Sequence, residues 1–420
     1  MVYENQNGTL GMLPVDDENK SSPLDKLAIM LLALCPILQH YKGIFINLAV
    51  SVFLLLFPYV AVKFVKKRYI ELKYFKIALP LVVFYAFQVI DHGTSITEAG
   101  QAVVVAVYLF AITGGCFNTR YFIRVITCIS IVACICIIIQ YICYYLFRFH
   151  LQIVPTSLLL ERNHQWIMLA KTGRYSITGK MIKFYRPSAF FLEPSHMFIY
   201  MFTPLTISML SSDNSLRNRR ISFLLAIGMI LTTSGMGILT TILLYVAYVS
   251  KTNGTGKRFS LEMFFQPKNV LKMVLFLAIG IVIYLKVPFV RNSVDRIFSS
   301  GNDYSNAVSG RLDSGWNLIK TMHDSQLIIG VQDSLNGVTA SMSGLDDTMF
   351  QYGIIGVILS YVFYVRGLFK LKNEFACVAL IIIAVSLFSQ HTHSTFFIIY
   401  ETFVFTEGYK VCENMELGNI

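Results

Sequence analysis

The sequence predicts an all-α polytopic membrane protein, with about twelve transmembrane helices and two long extracytoplasmic loops that carry short helices. Three observations predict it. Of 420 residues, 55% are hydrophobic and only 14% charged, where a soluble chain carries roughly a quarter charged. The apolar residues come in long uncharged blocks, such as 44–62, 125–147 and 221–249, each long enough to cross a hydrocarbon core of about 30 Å. The short polar links between blocks alternate between rich in Lys/Arg and nearly free of them.

Residues 1–26 are polar and more acidic than basic, which reads as a disordered tail and not as a cleavable signal. Spans are then expected at 27–39, 44–62, 77–90, 100–117 and 125–147, and next at 195–211, 221–234, 235–249 and 273–289. After the second long loop come 348–365, 375–389 and 394–408, followed by a tail over 409–420. The block 221–249 is too long for one ordinary span, and TTSGMG supplies turn chemistry in its middle, so two short helices meeting outside are expected. Seven of the eight cysteines fall in apolar runs, which suggests neither a disulfide framework nor a zinc site.

Charge fixes the orientation. The links KFVKKRYIELKYFK, NTRYFIR, LRNRR, 251–272 and RGLFKLK carry six, two, three, five and three Lys/Arg. The intervening links QHYKG, DHGTSITEAG, TSGMG and QHTHS together carry one, Lys42. The basic side is cytoplasmic by the positive-inside rule, and both termini with it. Much of the net charge of +11 is therefore an orientation signal and not a nucleic-acid footprint.

Two expected extracytoplasmic loops, 148–194 and 290–347, are long enough to be functional. The first is basic where the rule expects few cations: Arg148, Arg162, Lys171, Arg174, Lys180, Lys183 and Arg186 against Glu161 and Glu193. An anionic ligand accounts for that excess. The loop closes with RPSAFFLEPSH (186–196). Pro194 suits the first position of a helix, so Glu193 is expected at or beside the N-cap, with His196 in the first turn. Either Glu193 caps the helix and Arg186 snorkels to headgroups, or a carboxylate acts beside an arginine that grips a diphosphate.

In the second loop, Leu312, Trp316, Ile319 and Met322 recur at near-helical spacing after SGR, which predicts a short amphipathic helix. Trp316 suits a packing or interface anchor better than a sugar-stacking platform. Arg311 in the first turn opposes the helix dipole, and either a bound anion or Asp313 would offset it. Arg291 and Arg296 add cations at the loop's start. Asp346 and Asp347 begin the next span; they fit helix capping, and as a lone adjacent pair they are a weak divalent-cation signal. The HTH at 391–393 is equally weak as a metal signal.

Four stretches resemble the Wzy-type O-antigen polymerases, within the O-antigen polymerase and ligase superfamily: RPSAFFLEPSHMFIYM, TTSGMGILTTILLYV, SGRLDSGWNLIKT and DDTMFQYGIIGVILSYV. Arg186 and Glu193 resemble that family's arginine and following Glu-Pro, and Arg311 its second-loop arginine. Many members, ligases especially, carry His-Asn where this chain has Asp346-Asp347. The resemblance implies a glycosyltransferase of a bacterial cytoplasmic membrane, joining repeat units carried on undecaprenyl diphosphate. It implies Arg186, Glu193 and Arg311 as catalytic residues; the chemistry of the two loops adds Asp347 as a second candidate base, with Arg174, Lys183, His196, Arg291, Arg296, Trp316 and Asp346 binding substrate. It implies no cofactor, no metal and no nucleic acid, and it suggests a flippase and a chain-length regulator as partners. A ligase or a lipid-linked oligosaccharide transporter are the alternatives.

Overall fold

The computed structural model describes residues 22–44, 47–67, 72–91, 96–160, 164–174, 176–177, 180–181, 185–211, 215–250, 267–286, 291, 315–331, 343–371, 373–387 and 394–417. Within these, a helix stands at each of the expected places. The first group is α1 (Pro23–Leu38), α2 (Leu48–Lys66), α3 (Leu72–Asp91), α4 (Ile96–Thr113) and α5 (Thr119–Leu146). A short helix, α6 (His164–Thr172), and a two-residue antiparallel hairpin, β1 (Ser176–Ile177) and β2 (Lys180–Met181), lie in the first long loop. There follow α7 (Pro194–Leu210), α8 (Leu216–Leu231), α9 (Gly235–Ser250) and α10 (Pro267–Lys286). The chain ends with α11 (Asp324–Ile329), α12 (Gly344–Lys370), α13 (Asn373–Ser386) and α14 (Thr395–Leu417). Among the described residues three helices are long and apolar enough to cross a membrane, namely α2, α5 and α12, and the other apolar helices are shorter.

The lipid-facing surface is legible on α5. Val132, Ile135, Ile139 and Ile142 are exposed along one stripe, while Ile126, Ser130, Ala133, Ile137 and Gln140 are buried on the other. An apolar stripe of that length belongs against hydrocarbon. The core forms around α7, whose residues from Met197 to Thr206 are all buried. A helix enclosed on every face has no need of amphipathic pattern, and α7 packs against α5, α8, α9 and α13. Tyrosine hydroxyls tie the bundle together: Tyr200 donates to the Ala33 carbonyl at 2.9 Å and Tyr400 to the Tyr200 carbonyl at 2.9 Å.

Two elements carry features that hydropathy alone does not give. Between α8 and α9, where two short helices were expected to meet, Thr232, Thr233 and Ser234 are buried in the bundle. Their own polar groups satisfy one another. The Thr232 hydroxyl donates to the Met229 carbonyl at 2.7 Å and accepts from the Ser234 amide at 3.2 Å. Thr233 adopts φ 52°, rare for a β-branched residue.

Helix α12 is the second. It breaks at Gly353, with φ 62° and ψ −165°. A Cβ there would land on the Ile328 carbonyl at the end of α11.

Candidate functional site

The RPSAFFLEPSH segment connects the first long loop to α7. At its start, the Arg186 amide donates to the Gly173 carbonyl at 2.7 Å. Gly173 has φ 64°, and Tyr185 packs where its Cβ would be, so glycine is required there on both counts. Arg186 is buried, at 7% exposure. A guanidinium so buried does not snorkel to headgroups: residues 185–192 fold in over α5. Beside it, Tyr185 stacks on Tyr144 at 3.9 Å, and Arg174 bonds the Tyr144 hydroxyl through Nε at 3.1 Å. Arg174 is thus occupied by an aromatic partner from α5.

Gln140 holds this loop. Its Nε2 donates to the Leu151 carbonyl at 2.9 Å, and its Oε1 accepts from the Ala189 amide at 3.0 Å. Ala189 adopts φ 52°, a left-handed conformation that costs about 1–2 kcal/mol for a residue with a Cβ. The amide of Gln140 supports that strained backbone between Arg186 and Glu193. Below it, His150 bridges the Tyr185 hydroxyl at 2.8 Å and the Ala170 carbonyl at 2.9 Å. A carbonyl only accepts, so His150 Nε2 carries the proton and Nδ1 receives the tyrosine. Burial lowers the pKa of His150. Tyr41, Gln140, His150, Ser188 and Ala189 share the walls of a small cavity of about 20 Å³, enough for roughly one water.

Glu193 occupies the N-cap of α7, and Pro194 the first helical position, as expected. The Glu193 side chain makes no capping bond to the helix backbone. It accepts instead from the Ser195 hydroxyl, and its Oε1 lies 3.8 Å from His196 Nε2. His196 is buried, and its ring stacks on that of His40 at 4.4 Å with an interplanar angle of 7°. His40 belongs to the link between α1 and α2. That link is tied in by the Tyr41–Leu159 bridge and by a hydrogen bond from the Tyr41 hydroxyl to the Phe190 carbonyl. One cluster therefore gathers Glu193 and His196 with a residue far away in sequence.

The second-loop candidates are placed in part. Lys183, Arg296 and Arg311 lie outside the described residues, as does the HTH turn. Arg291 is exposed. Residues 315–319 are helical, and Trp316 on that turn is 55% exposed with Lys320 Nζ 5.8 Å from its ring centre. Gly315 sits against Asp346, where a Cβ would clash. Asp346 is hydrogen-bonded with the Ser343 hydroxyl at 2.8 Å, and the Asp346 amide donates back to Ser343 at 3.1 Å, as a helix cap does. Asp347 accepts from Gln351 at 2.9 Å. Among the described residues no three metal-ligating side chains gather.

Sequence reasoning passed over five residues. Gln140 is the one amide side chain within 125–147, and Glu401 and Glu407 are the two carboxylates within 394–408; all three were signals. Glu401 is buried and accepts from the Tyr364 hydroxyl at 2.7 Å, and Glu407 accepts from Thr119 at 2.6 Å. His40 and Tyr41 carried no local signal. No family model matches the chain, and no curated protein matches it.

Proposed function

We propose that the chain is a polymerase that joins oligosaccharide repeat units, carried on undecaprenyl diphosphate, at the outer face of the cytoplasmic membrane. One observation carries the reading: RPSAFFLEPSH folds into a buried guanidinium followed by a carboxylate that caps nothing and faces a histidine. At the end of an apolar bundle, such a pair suits a substrate with a lipid tail, an anionic diphosphate and a sugar. The arginine offsets charge that grows on the diphosphate as the glycosidic bond breaks, more strongly in a low dielectric than in water. The carboxylate orients or deprotonates the acceptor hydroxyl, directly or through its histidine. Arg311 and Asp347 would add a second cation and a second carboxylate from the other loop.

The test is deletion of the gene in its host. A polymerase leaves single repeat units on the final carrier. Long chains stranded on undecaprenyl diphosphate, with none on the final carrier, would identify a ligase and sink this reading. Arg186→Ala and Glu193→Ala should each abolish the ladder of chain lengths. Arg186→Lys should also be impaired, because a lysine offers a point charge in place of a guanidinium fork.

A second reading, transport of the lipid-linked oligosaccharide, is favoured by buried Glu401 and by the break in α12 at Gly353. Intramembrane carboxylates and discontinuous helices are features of transporters. Deletion of a transporter would leave no repeat on the final carrier and strand single repeats on the cytoplasmic leaflet.

A further inference from the structure

The cluster around Glu193 contains one member that the polymerase reading does not yet use. His40 sits in the link between α1 and α2, and its backbone is fixed: the Leu160 amide donates to the His40 carbonyl at 2.9 Å, and the Lys42 amide to the Leu158 carbonyl at 2.8 Å. Its ring lies flat on His196, 4.4 Å away. His196 is 2% exposed and Glu193 about one-fifth exposed at its side chain, whereas His40 is half-buried. Two imidazolium charges at that separation oppose each other, so the stack holds one proton more readily than two. A proton on His196, whose Nε2 lies 3.8 Å from Glu193 Oε1, would leave His40 neutral, the form a general base needs.

We propose that His40 is a further catalytic residue of this site: the base that takes the proton of the acceptor sugar hydroxyl. His196 and Glu193 are positioning residues that hold its ring and its charge state. The proposal rests on the polymerase reading. In the step, the acceptor oxygen bonds to the anomeric carbon of the donor glycan. The bond from that carbon to the diphosphate oxygen breaks, and its electron pair leaves with undecaprenyl diphosphate. The acceptor's proton passes to an unprotonated ring nitrogen of His40. Among the described residues, His196 of α7 lies against the His40 ring with Glu193 beside His196, and Tyr41 and Lys42 follow His40 in its own link.

The experiment measures the rate and length of glycan elongation by the full chain in its host's membranes, with the amount of each variant in the membrane quantified alongside. His40→Phe keeps a flat ring on His196 and removes the proton acceptor. It should slow elongation by about 100-fold or more. Elongation within threefold of the parent would overturn the proposal. If His40→Phe does not accumulate, His40→Gln is held to the same criterion. The residual elongation of His40→Gln should also lose the fall in rate on the acid side of the pH profile; an acid limb that stays would place the base elsewhere and overturn the assignment. Arg186→Ala separates the two levels. If it elongates normally, the polymerase reading fails; if it is dead while His40→Phe is active, only the role of His40 fails.

Discussion

Replacing Gln140 by leucine should loosen the loop that carries Arg186 and Glu193 while leaving the helices in place. Gln140 is 2% exposed and Ala189 7%. The substitution deprives the Ala189 amide and the Leu151 carbonyl of partners at 3.0 and 2.9 Å. A buried polar group left unsatisfied costs roughly 1–3 kcal/mol. For two groups, less what the leucine regains by burial, the loss is about 2–4 kcal/mol. At 1.4 kcal/mol per tenfold, the loop should open roughly 30- to 1,000-fold more often. The loss should stay local, because the buried face of α5 otherwise packs through Ile126, Ala133 and Ile137. Amide hydrogen exchange in nanodiscs, followed over residues 185–193 and over α7, reads this directly. Protection lost at 185–193 and kept in α7 is the expected result. A change below threefold at 185–193 would refute the clamp. Ala189→Gly in the Gln140→Leu background removes the left-handed penalty of about 1–2 kcal/mol. After the greater chain entropy of glycine, it should recover up to about 1 kcal/mol.

Three further outcomes are expected. His150 is held neutral by burial, so its folded pKa lies below the ordinary value of about 6.5. The unfolded loop binds the proton first, so the contribution of His150 is full above about pH 6.5 and declines as pH falls below it; exchange at 147–193 should rise on that side, and a flat response would remove His150 from the loop's stability. Gly353→Ala meets both a positive φ and the Ile328 carbonyl, so it should destabilise the α11–α12 contact by roughly 2–4 kcal/mol, seen as a lower melting temperature in detergent; an unchanged value would mean the break is not built on glycine. On a background without the native cysteines, Ser157→Cys should react with an impermeant thiol reagent in intact cells and Arg217→Cys should not, and the reverse pattern would invert the orientation read from charge.

The helical blocks were legible because hydropathy acts locally, residue by residue, on any segment placed in hydrocarbon. Their ends were less so. Helix α1 starts at Pro23 and not at 27, since Ser22 and Asp25 form a capping box before the apolar run begins. Helix α12 starts at Gly344 under the Ser343 cap, again in polar sequence. Its break at Gly353 had no local mark, since Gly356 and Gly367 sit in the same helix without a break and the cause here is a carbonyl from α11. Arg186 and Glu193 stood out because charges are costly in so apolar a chain. His40 did not, because its place beside His196 depends on pairing between Tyr41 and Leu159, which no periodicity encodes. The burial of Arg186 was hidden for the same reason: it follows from the Gly173 contact and the Gln140 clamp.

The two functional readings differ in where a charge must be tolerated, and the chain places carboxylates in both settings. Glu193 lies at a helix start, one-fifth exposed at its side chain, in a cluster built from two separate segments. Glu401 lies within α14, sealed by Tyr364 and its aromatic neighbours. A polymerase needs the first to be exact and the second merely satisfied, since its substrate stays on one side of the membrane. Glu401→Gln preserves the acceptor for Tyr364 with nearly the same volume, so elongation should persist within a few-fold of the parent. A transporter that used the charge or proton of Glu401 would lose function with that same change. Loss of all delivered repeats in Glu401→Gln, at full membrane level and with Arg186→Ala silent, would therefore favour transport over polymerisation.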